Sequence, residues 1–424
     1  MSLGAAQALG LALPESVVEK GAVLHSLAVV TLAAGLAAAW RAAGDAHLAG
    51  PTLAAAHGAA WQLVLTVDGK AVAFLGLIAL VYPAIVRFSV PSFHREPGAQ
   101  RFWFLVSLFA FGLVTVTLAG NIDVFLLGWE VVGVTSVMLI AYFRRNLRSA
   151  KNSLRALVFY RLCDLGVLGA AVWMHHAFPS SDFAHLVDDA AIPTSGLVAA
   201  ALLFGSLAKA AQLPMSSWLH RAMEGPASSS AIFYGALSVH LGPYLLLRTA
   251  PLWLPHEGVR LAMGLIGAST ALYAGVVGST RPDAKTALAY ATMAQLGVLF
   301  VELALGWHTL AMVHLWAHAG LRTWQFLRSS SLIQDFQENP MVSADVLRRR
   351  GVDWSRWLPT RAREWLYLAA QRQFWLDGMG ERLVGRPVLA VFSWLSLLEG
   401  PLTPPREAPP APRASNEAEA EWSP

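Results

Sequence analysis

Ionisable side chains interrupt several long apolar stretches of this sequence. Glu130 lies near the centre of one stretch, and Lys209 lies in another, a few residues before Pro214. A charged side chain in the middle of a membrane span costs about 2.5–3.5 kcal/mol on insertion scales, so such residues are retained where they are paired, hydrated or functional. Glu130 and Lys209 could form a switchable pair, in which the carboxylate decides whether the lysine keeps its proton. A static ion pair that joins two helices is an equally good interpretation.

Two further features accompany this pair. Proline inside a helix removes a backbone hydrogen bond. Pro214 therefore predicts either a broken helix, of the kind that marks ion paths in transporters, or simply the end of a span near Gln212. Arg161 and Asp164 are three residues apart, so they can face the same side of one helix. They would either neutralise each other or modulate Glu130.

Histidines form a second set of candidate proton carriers. His314, His318 and Arg322 recur at every fourth position and form one polar stripe along a helix. His240 is another histidine within an apolar stretch. Histidine titrates near neutral pH and can pass protons on, whereas hydrogen bonds between packed helices would explain the same residues without any transport.

Two more ionisable residues stand near the ends of apolar stretches. Lys285 follows Asp283 at the entrance of a helix, where it is either a surface anchor or a further stop for a proton. Glu302 lies near the far end of its stretch and is expected to reach water. Because acidic, lysine and histidine residues recur on several separate stretches, the whole set is typical of a proton path through a membrane.

The sequence predicts no metal site and no cofactor in this chain. His314 and His318 are four residues apart, as in zinc proteases, but Leu315 stands where those enzymes have glutamate. Cys163 is the single cysteine, which excludes an internal disulfide and a cysteine-clustered zinc or iron–sulfur site. A histidine-rich di-iron enzyme would need more clustered histidines than this sequence offers.

The composition indicates which elements carry these residues. Of the 424 residues, 55% are hydrophobic and only 14% are charged, whereas soluble domains carry about 25% charged residues. These proportions exclude a disordered chain and an ordinary cytosolic enzyme, and they predict an all-α polytopic membrane protein. About ten stretches are long and apolar enough to span a membrane: 22–40, 71–88, 102–118, 122–142, 154–174, 197–219, 231–247, 259–277, 286–305 and 310–327.

Basic residues concentrate in alternate loops between these stretches. They cluster at 87–101, 144–155, 221, 281–285 and beyond 328. The loop at 177–193, by contrast, contains aspartates and no lysine or arginine. Because cytoplasmic loops are enriched in lysine and arginine, both ends of the chain are predicted to lie in the cytoplasm.

The sequence changes character after about residue 331. It becomes polar and rich in tryptophan, and the short apolar run at 387–398 is too short for an ordinary span, which favours an interfacial position. Residues 401–424 are rich in proline, glutamate and alanine and are predicted to form a disordered tail.

The motifs taken together resemble the antiporter-like subunits of respiratory complex I (NuoL) and of Mrp cation antiporters (MrpA). The resemblance extends over about residues 102–333 and rests on these motifs in order: Gly128-Trp129-Glu130-Val131-Val132-Gly133, Ala208-Lys209-Ala210-Ala211-Gln212-Leu213-Pro214, Met223-Glu224-Gly225-Pro226, Asp283-Ala284-Lys285 and His314-Leu315-Trp316-Ala317-His318. It implies inverted five-helix repeats, each with a broken helix, and a chain of charged residues across the membrane midplane. The second repeat would be incomplete, because the sequence turns polar after Ile333.

The resemblance also implies roles for single residues. Glu130 corresponds to the key glutamate of the family and Lys209 to the key lysine on its broken helix. Asp164 corresponds to an acidic residue near that pair. His314 and His318 correspond to the central histidines of the proton path.

Two positions depart from the pattern of complex I. Arg322 stands where the largest subunit often has lysine, and because arginine does not release its proton it would act as a fixed charge. Tyr234 stands where that subunit tends to have histidine, and His240 would substitute for it. The stretches 233–240 and 324–328 are more similar to DabB, the membrane subunit of the DabA–DabB inorganic carbon transporter.

The resemblance implies a domain organisation and a function. The expected parts are N-terminal helices (1–101), a first five-helix repeat (102–250), a partial second repeat (251–333), a cytoplasmic or interfacial segment (334–400) and the tail (401–424). We expect a proton-conducting subunit of the bacterial inner membrane that is not itself an enzyme. It would use the proton gradient to drive a DabA-like partner in the uptake of carbon dioxide or bicarbonate.

The expected partner resembles carbonic anhydrase, and the zinc would belong to that partner. The alternative is a proton- or sodium-translocating subunit of a complex I-like NADH:quinone oxidoreductase or of an Mrp antiporter. A passive anchor for a peripheral protein is a weaker alternative, because an anchor has no need of so many buried charges.

Overall fold

The computed structural model of the chain describes residues 14–56, 59–96, 98–143, 146–177, 182–183, 195–338 and 358–376, with a few single positions beyond them. Contacts divide the chain into two units, Met1–Phe374 and Trp375–Pro424, and nearly all described residues belong to the first. The predicted tail at 401–424 and most of the apolar run at 387–398 lie outside the described residues.

The apolar stretches form a bundle of helices. They are α1 (Glu15–Ala43), α2 (Gly69–Ser92), α3 (Ala99–Leu118), α4 (Ile122–Ile140), α5 (Leu147–Ala177), α6 (Gly196–Lys209), α7 (Ala227–Arg248), α8 (Glu257–Gly278), α9 (Ala284–Ala304), α10 (His308–Glu338) and α11 (Thr360–Gln371). Over the described residues, eight of these helices are long and apolar enough to cross a membrane, namely α1 to α5 and α7 to α9. The prediction of a polytopic helical membrane protein is confirmed, whereas the number of ten spans and the inverted repeat stay predictions.

The surface of the bundle exposes side chains that a water-soluble protein would bury. Leu165 on α5 and Leu261, Leu265 and Leu272 on α8 are each at least 60% exposed. The interior, by contrast, holds fully buried aromatic rings, among them Trp103, Trp129, Trp218 and Trp253. An apolar surface around a closely packed interior is what contact with lipid requires.

Polar caps determine where two of the helices begin. Asn121 Oδ1 accepts a hydrogen bond from Val124 N (3.0 Å) at the start of α4. Asp283 Oδ2 accepts one from Thr286 N (2.7 Å) at the start of α9. The first N–H groups of a helix have no acceptor within the helix. Such caps supply one, and each contributes about 1 kcal/mol to stability. They fix the register of helices that carry several of the candidate residues.

Helix α6 is shorter than the sequence predicts. The predicted span runs to residue 219, but α6 ends at Lys209 and the chain turns at Ala211, whose φ is +49°. Pro214 disfavours a helical conformation at the residue before it, so the helix cannot pass through this segment. Trp218 Nε1 donates to the carbonyl of Ala208 (2.9 Å), which satisfies a carbonyl near the helix end. Lys209 is therefore the last residue of a helix that ends inside the bundle.

A β-hairpin corrects the prediction of a purely α-helical chain. Strands β1 (Ala46–Ala56) and β2 (Ala59–Val67) pair antiparallel between α1 and α2. The hairpin docks on the turn before α4, where Asn121 Nδ2 donates to the carbonyl of Gln62 (2.6 Å). The alanine-rich first strand has no β-branched run, so its sequence carried no strand signal.

The basic loops meet at one end of the bundle. Arg148 at the start of α5 forms an ion pair with Glu224 (2.9 Å), and Arg281 between α8 and α9 donates to the carbonyl of Ala370 (2.8 Å). The hairpin lies at the opposite end. The alternation of loops predicted from charge is thus reproduced in the structure, and the side of the membrane that the basic end faces stays a prediction.

Candidate functional site

Four of the predicted ionisable residues form one cluster between α4, α5 and the end of α6. Arg161 Nη1 forms an ion pair with Glu130 Oε2, and Arg161 Nη2 lies 2.8 Å from Asp164 Oδ2. Glu130 therefore pairs directly with Arg161, not with Lys209 as the sequence suggested. The guanidinium neutralises Asp164 on its own helix and also pairs with Glu130, so neutralisation within the helix is observed and a modulating role toward Glu130 stays a prediction. The two side chains of the Glu130–Arg161 pair are 35% and 43% exposed.

Lys209 lies deeper than the other three residues and is only 1% exposed. Its Nζ donates to the carbonyl of Trp129 (3.3 Å) and lies 4.9 Å and 4.5 Å from the ring centroids of Trp129 and Tyr160. The faces of both rings are attractive to a cation. The ammonium is thus held by one backbone oxygen and two rings, while its nearest carboxylates act on it at longer range.

Trp129 connects the two halves of the cluster and was not predicted as a site residue. Its carbonyl accepts from Lys209, and its indole Nε1 donates to Asp164 Oδ1 (2.5 Å). Its position directly before Glu130 was the available signal. With two cations and two carboxylates the cluster is neutral when every group is ionised, so a proton added to either carboxylate leaves a positive charge beside Lys209.

Gly133 makes room for this arrangement. A Cβ at this position would lie 3.0 Å from Lys209 Nζ and 3.5 Å from Arg161 Nη2. Any side chain here would therefore compete with the two cations for the same space.

A second cluster, formed by His240, His318 and Arg322, links α7 to α10 through a chain of hydrogen bonds in which α10 donates to α7. His240 Nδ1 lies 2.6 Å from the carbonyl of Ala236, which can only accept, so this nitrogen carries the hydrogen. In the neutral ring His240 Nε2 then accepts from His318 Nδ1 (2.9 Å), and His318 Nε2 accepts from Arg322 Nε (3.3 Å). The carbonyl at one end and the guanidinium at the other thus fix the tautomers of both histidines.

His314, the third predicted histidine, has partners on α9. Its Nδ1 lies 2.9 Å from Glu302 Oε1, and its Nε2 lies 3.0 Å from Gln295 Oε1. Glu302 is only 9% exposed, so the expectation that it reaches water is wrong. The ring centroids of His314 and His318 are 6.2 Å apart.

An irregular stretch of α7 brings the two clusters next to each other. This helix contains a π-helical turn (Ala231–Ala236) and a 3₁₀ turn (Ser238–His240), and Pro243 on the next turn has no N–H to donate. Tyr160, whose ring faces Lys209, lies close to Ser238 on this stretch, and neither hydroxyl makes a hydrogen bond. The Lys209 cluster therefore adjoins the His240 cluster at Tyr160 and Ser238, without a hydrogen bond between these two hydroxyls.

The fold and these motifs match a known family. The family model described as "NADH:quinone oxidoreductase/Mrp antiporter, TM" matches residues 119–350, which is more than half of the chain. The chain belongs to this family. The match includes the cluster around Lys209 and the three histidines His240, His314 and His318.

Relatives of the antiporter family come from more than one kind of complex. The chain is 32% identical over 275 residues to NADH-quinone oxidoreductase subunit L of Escherichia coli (strain K12), covering 63% of this chain and 45% of that protein. It is 30% identical over 285 residues to the probable inorganic carbon transporter subunit DabB1 of Halothiobacillus neapolitanus (strain ATCC 23641 / c2), covering 65% of this chain and 50% of that protein. The chain thus spans two fifths to one half of the length of the curated relatives it matches.

Two solved structures share the fold of this chain. The Mrp complex from Dietzia sp. DQ12-45-1b matches with a TM-score of 0.67 and 25% identity over 74% of this chain and 34% of that one. The membrane-bound sulfane sulfur reductase, an archaeal respiratory membrane complex, matches with a TM-score of 0.63 and 18% identity over 77% of this chain and 67% of that one. At 18% identity the second match concerns the fold alone.

Among the predicted relay residues, Lys285 lies apart from the cluster around Lys209 and from the histidines of α7 and α10. It stands at the start of α9, where Asp283 and Glu224 act on its charge. Gln295, which contacts the histidine cluster, lies about 15 Å further along the helix axis. Among the described residues no group of three or more histidine, cysteine, aspartate and glutamate side chains could hold a metal ion.

Proposed function

We propose that this chain is the proton-conducting membrane subunit of an energy-coupled complex. The observation that supports this most directly is the succession of ionisable and hydrogen-bonding groups through the bundle. It begins at the half-exposed Glu130, passes Lys209, and reaches the bonded histidines His240 and His318. Such groups are costly at membrane depth and are typical of proton relays.

The proposed mechanism is electrostatic. A proton that reaches Glu130 removes one negative charge from the neutral cluster. Arg161 then keeps only Asp164 as a counter-charge, so the cluster around Lys209 carries one excess positive charge. The excess positive charge favours release of the Lys209 proton toward His240, whose Nε2 can accept it once the hydrogen bond from His318 opens. The membrane potential supplies about 2.3 kcal/mol per charge per 100 mV for this movement.

The first experiment measures proton flux in proteoliposomes that contain the native complex and a pH-sensitive dye. Lys209→Met and Glu130→Gln remove a charge without a large change of shape, and we expect proton flux to fall about 100-fold in each, the scale on which a positioned proton carrier contributes. The matched controls are Lys151→Met and Glu257→Gln, which change exposed side chains and should conduct normally. Wild-type flux in both cluster variants would contradict the proposal. A flux that depends on sodium and not on protons would show that sodium is the conducted ion.

The finer proposal is that this flux drives the uptake of inorganic carbon by a DabA-like, zinc-binding partner. The likeness to DabB1 supports it, and the likeness to subunit L supports the alternative of a complex I-like or Mrp-type machine. Both proposals place the chain in the inner membrane of a bacterium. They differ in the partner.

Co-purification from native membranes separates the two. A carbonic-anhydrase-like protein that carries zinc is expected with this chain if it acts in carbon uptake, and the pair should then rescue growth in air of a strain without carbonic anhydrase. The Lys209→Met variant should assemble with the same partner and fail in the rescue. NADH:quinone oxidoreductase or Mrp subunits in the purified complex would establish the alternative instead.

A further inference from the structure

Glu302 has a partner that its sequence position did not suggest. It lies two residues before the end of α9, buried, with Oε1 at 2.9 Å from His314 Nδ1. Its second oxygen, Oε2, is fully buried and makes no hydrogen bond. A buried carboxylate with an open acceptor oxygen can accept a proton there without breaking its bond to the histidine.

Both ring nitrogens of His314 face oxygen acceptors. Glu302 Oε1 stands opposite Nδ1, and Gln295 Oε1 stands opposite Nε2. A ring that donates from both nitrogens is the imidazolium, so this arrangement fits a His314 that carries an extra proton next to a Glu302 carboxylate. A flip of the Gln295 amide would place its NH₂ against Nε2 and fit the neutral ring. Gln295 can therefore adapt to either charge state of His314.

The neighbouring histidines offer no comparable place for an extra proton. The lone pair of His318 Nε2 is occupied by Arg322, and that of His240 Nε2 is occupied by His318. The groups that act on His314 are thus Glu302 from α9, His318 from its own helix and His240 from α7, with Arg322 beyond them. The positive charge of Arg322 disfavours an extra proton on His318 beside it, so an extra proton is favoured on His314, next to Glu302.

Glu302 also lies toward the end of the bundle that is opposite the basic loops. The chain leaves α9 through Gly306, and Trp307 N donates to the backbone carbonyl of Glu302 (2.9 Å). Lys285, at the other end of the same helix, lies about 25 Å away along the axis. The carboxylate thus stands between His314 and the turn that ends the helix.

We propose that Glu302 and His314 form a proton-storage site that connects the histidine relay with the end of the bundle opposite the basic loops. The proton on His314 Nδ1 passes to Glu302 Oε1, so that an N–H bond breaks, an O–H bond forms, and an imidazolium–carboxylate pair becomes a neutral histidine and a carboxylic acid. Onward transfer of that proton past the turn at Gly306, when water reaches the buried Glu302 side chain, restores the carboxylate. This inference rests on the proposed function of the chain as a proton conductor.

The test replaces the titrating oxygen and keeps the shape. Glu302→Gln retains an oxygen acceptor for His314, so a purely structural role would survive the change, whereas a proton-storage site would not. In the reconstituted complex we expect a loss of proton flux of about 100-fold with normal assembly. Glu302→Asp, which keeps the acid, should recover part of the flux, and Glu257→Gln on α8 serves as the exposed control.

Infrared difference spectra of the purified complex give a second readout that does not depend on transport. When a small decrease in pH adds protons to the complex, the wild type should show a carboxyl band that changes together with a histidine ring band, because the proton is shared between His314 and Glu302. The carboxyl band should disappear in Glu302→Gln and remain in Glu257→Gln. Wild-type flux in Glu302→Gln, or a spectrum that this change leaves unaltered, would overturn the inference. A wild-type complex that conducts no protons would refute the proposed function instead, and the infrared band would still report on Glu302.

Discussion

Gly133 offers the most local test of the Lys209 cluster. In Gly133→Ala the new methyl group would stand 3.0 Å from Lys209 Nζ, so the ammonium must move by a few tenths of an ångström. We expect the contact with the Trp129 carbonyl, already 3.3 Å long, to be lost and the flux to fall about tenfold, while the helix itself gains from alanine. Gly275→Ala on α8, where an added Cβ meets nothing within 4 Å, should leave the flux unchanged. Equal fluxes in the two variants would show that Lys209 does not need this position.

Individual residues could be predicted from sequence better than their partners. Three residues, Glu130, Lys209 and Asp164, could be recognised because a charged side chain within an apolar stretch is costly unless it is paired, hydrated or functional. The pairing of Arg161 with Glu130, however, depends on how α4 and α5 cross, which no local spacing encodes. The bond between Glu302 and His314 was missed for the same reason.

The contact of α6 with α7 determines whether the two clusters adjoin. Gly242 on α7 touches the end of α6 so closely that a Cβ would lie 2.8 Å from Ser206 O and from Ala210 Cβ. Gly242→Ala should push the helices apart, destabilise the bundle by about 1–3 kcal/mol and reduce proton flux. Gly169→Ala on α5, which meets open space, is the matched control. Flux and thermal stability measured on both variants test this, and a Gly242→Ala complex as active and stable as the control would refute the role of close approach.

Whole helices followed from apolar length, while only one of their interruptions left a signal in the sequence. The bounds of α3, α4, α8 and α9 lie within a few residues of the predicted spans, because caps and loops mark them. Pro214 indicated the early end of α6, and Trp218 in the segment after it satisfies the Ala208 carbonyl, whereas no residue indicated the π-helical turn of α7. Strand β1 was not recognisable, because pairing, not composition, makes an alanine-rich segment extended.

At the scale of the whole molecule, the orientation in the membrane can be tested at the two ends of one helix. Gly258 and Ser279 are exposed at opposite ends of α8, and Ser279 lies in a basic loop. The positive-inside rule predicts that Gly258→Cys reacts with an impermeant maleimide on intact cells and that Ser279→Cys reacts only after permeabilisation. Cys163 is buried and is replaced by serine in both variants to remove its signal. The opposite labelling pattern would invert the predicted topology.

The side-chain amide of Asn121 links the hairpin to the helix that carries Glu130. Its Oδ1 caps the first turn of α4, and its Nδ2 donates a hydrogen bond to the backbone carbonyl of Gln62 in the hairpin. Glu130 stands about 14 Å further down the same rigid rod. We therefore expect a displacement of the hairpin to shift the start of α4 and, with it, Glu130 relative to Arg161, so that an event at the end of the bundle could alter an ion pair that it does not contact.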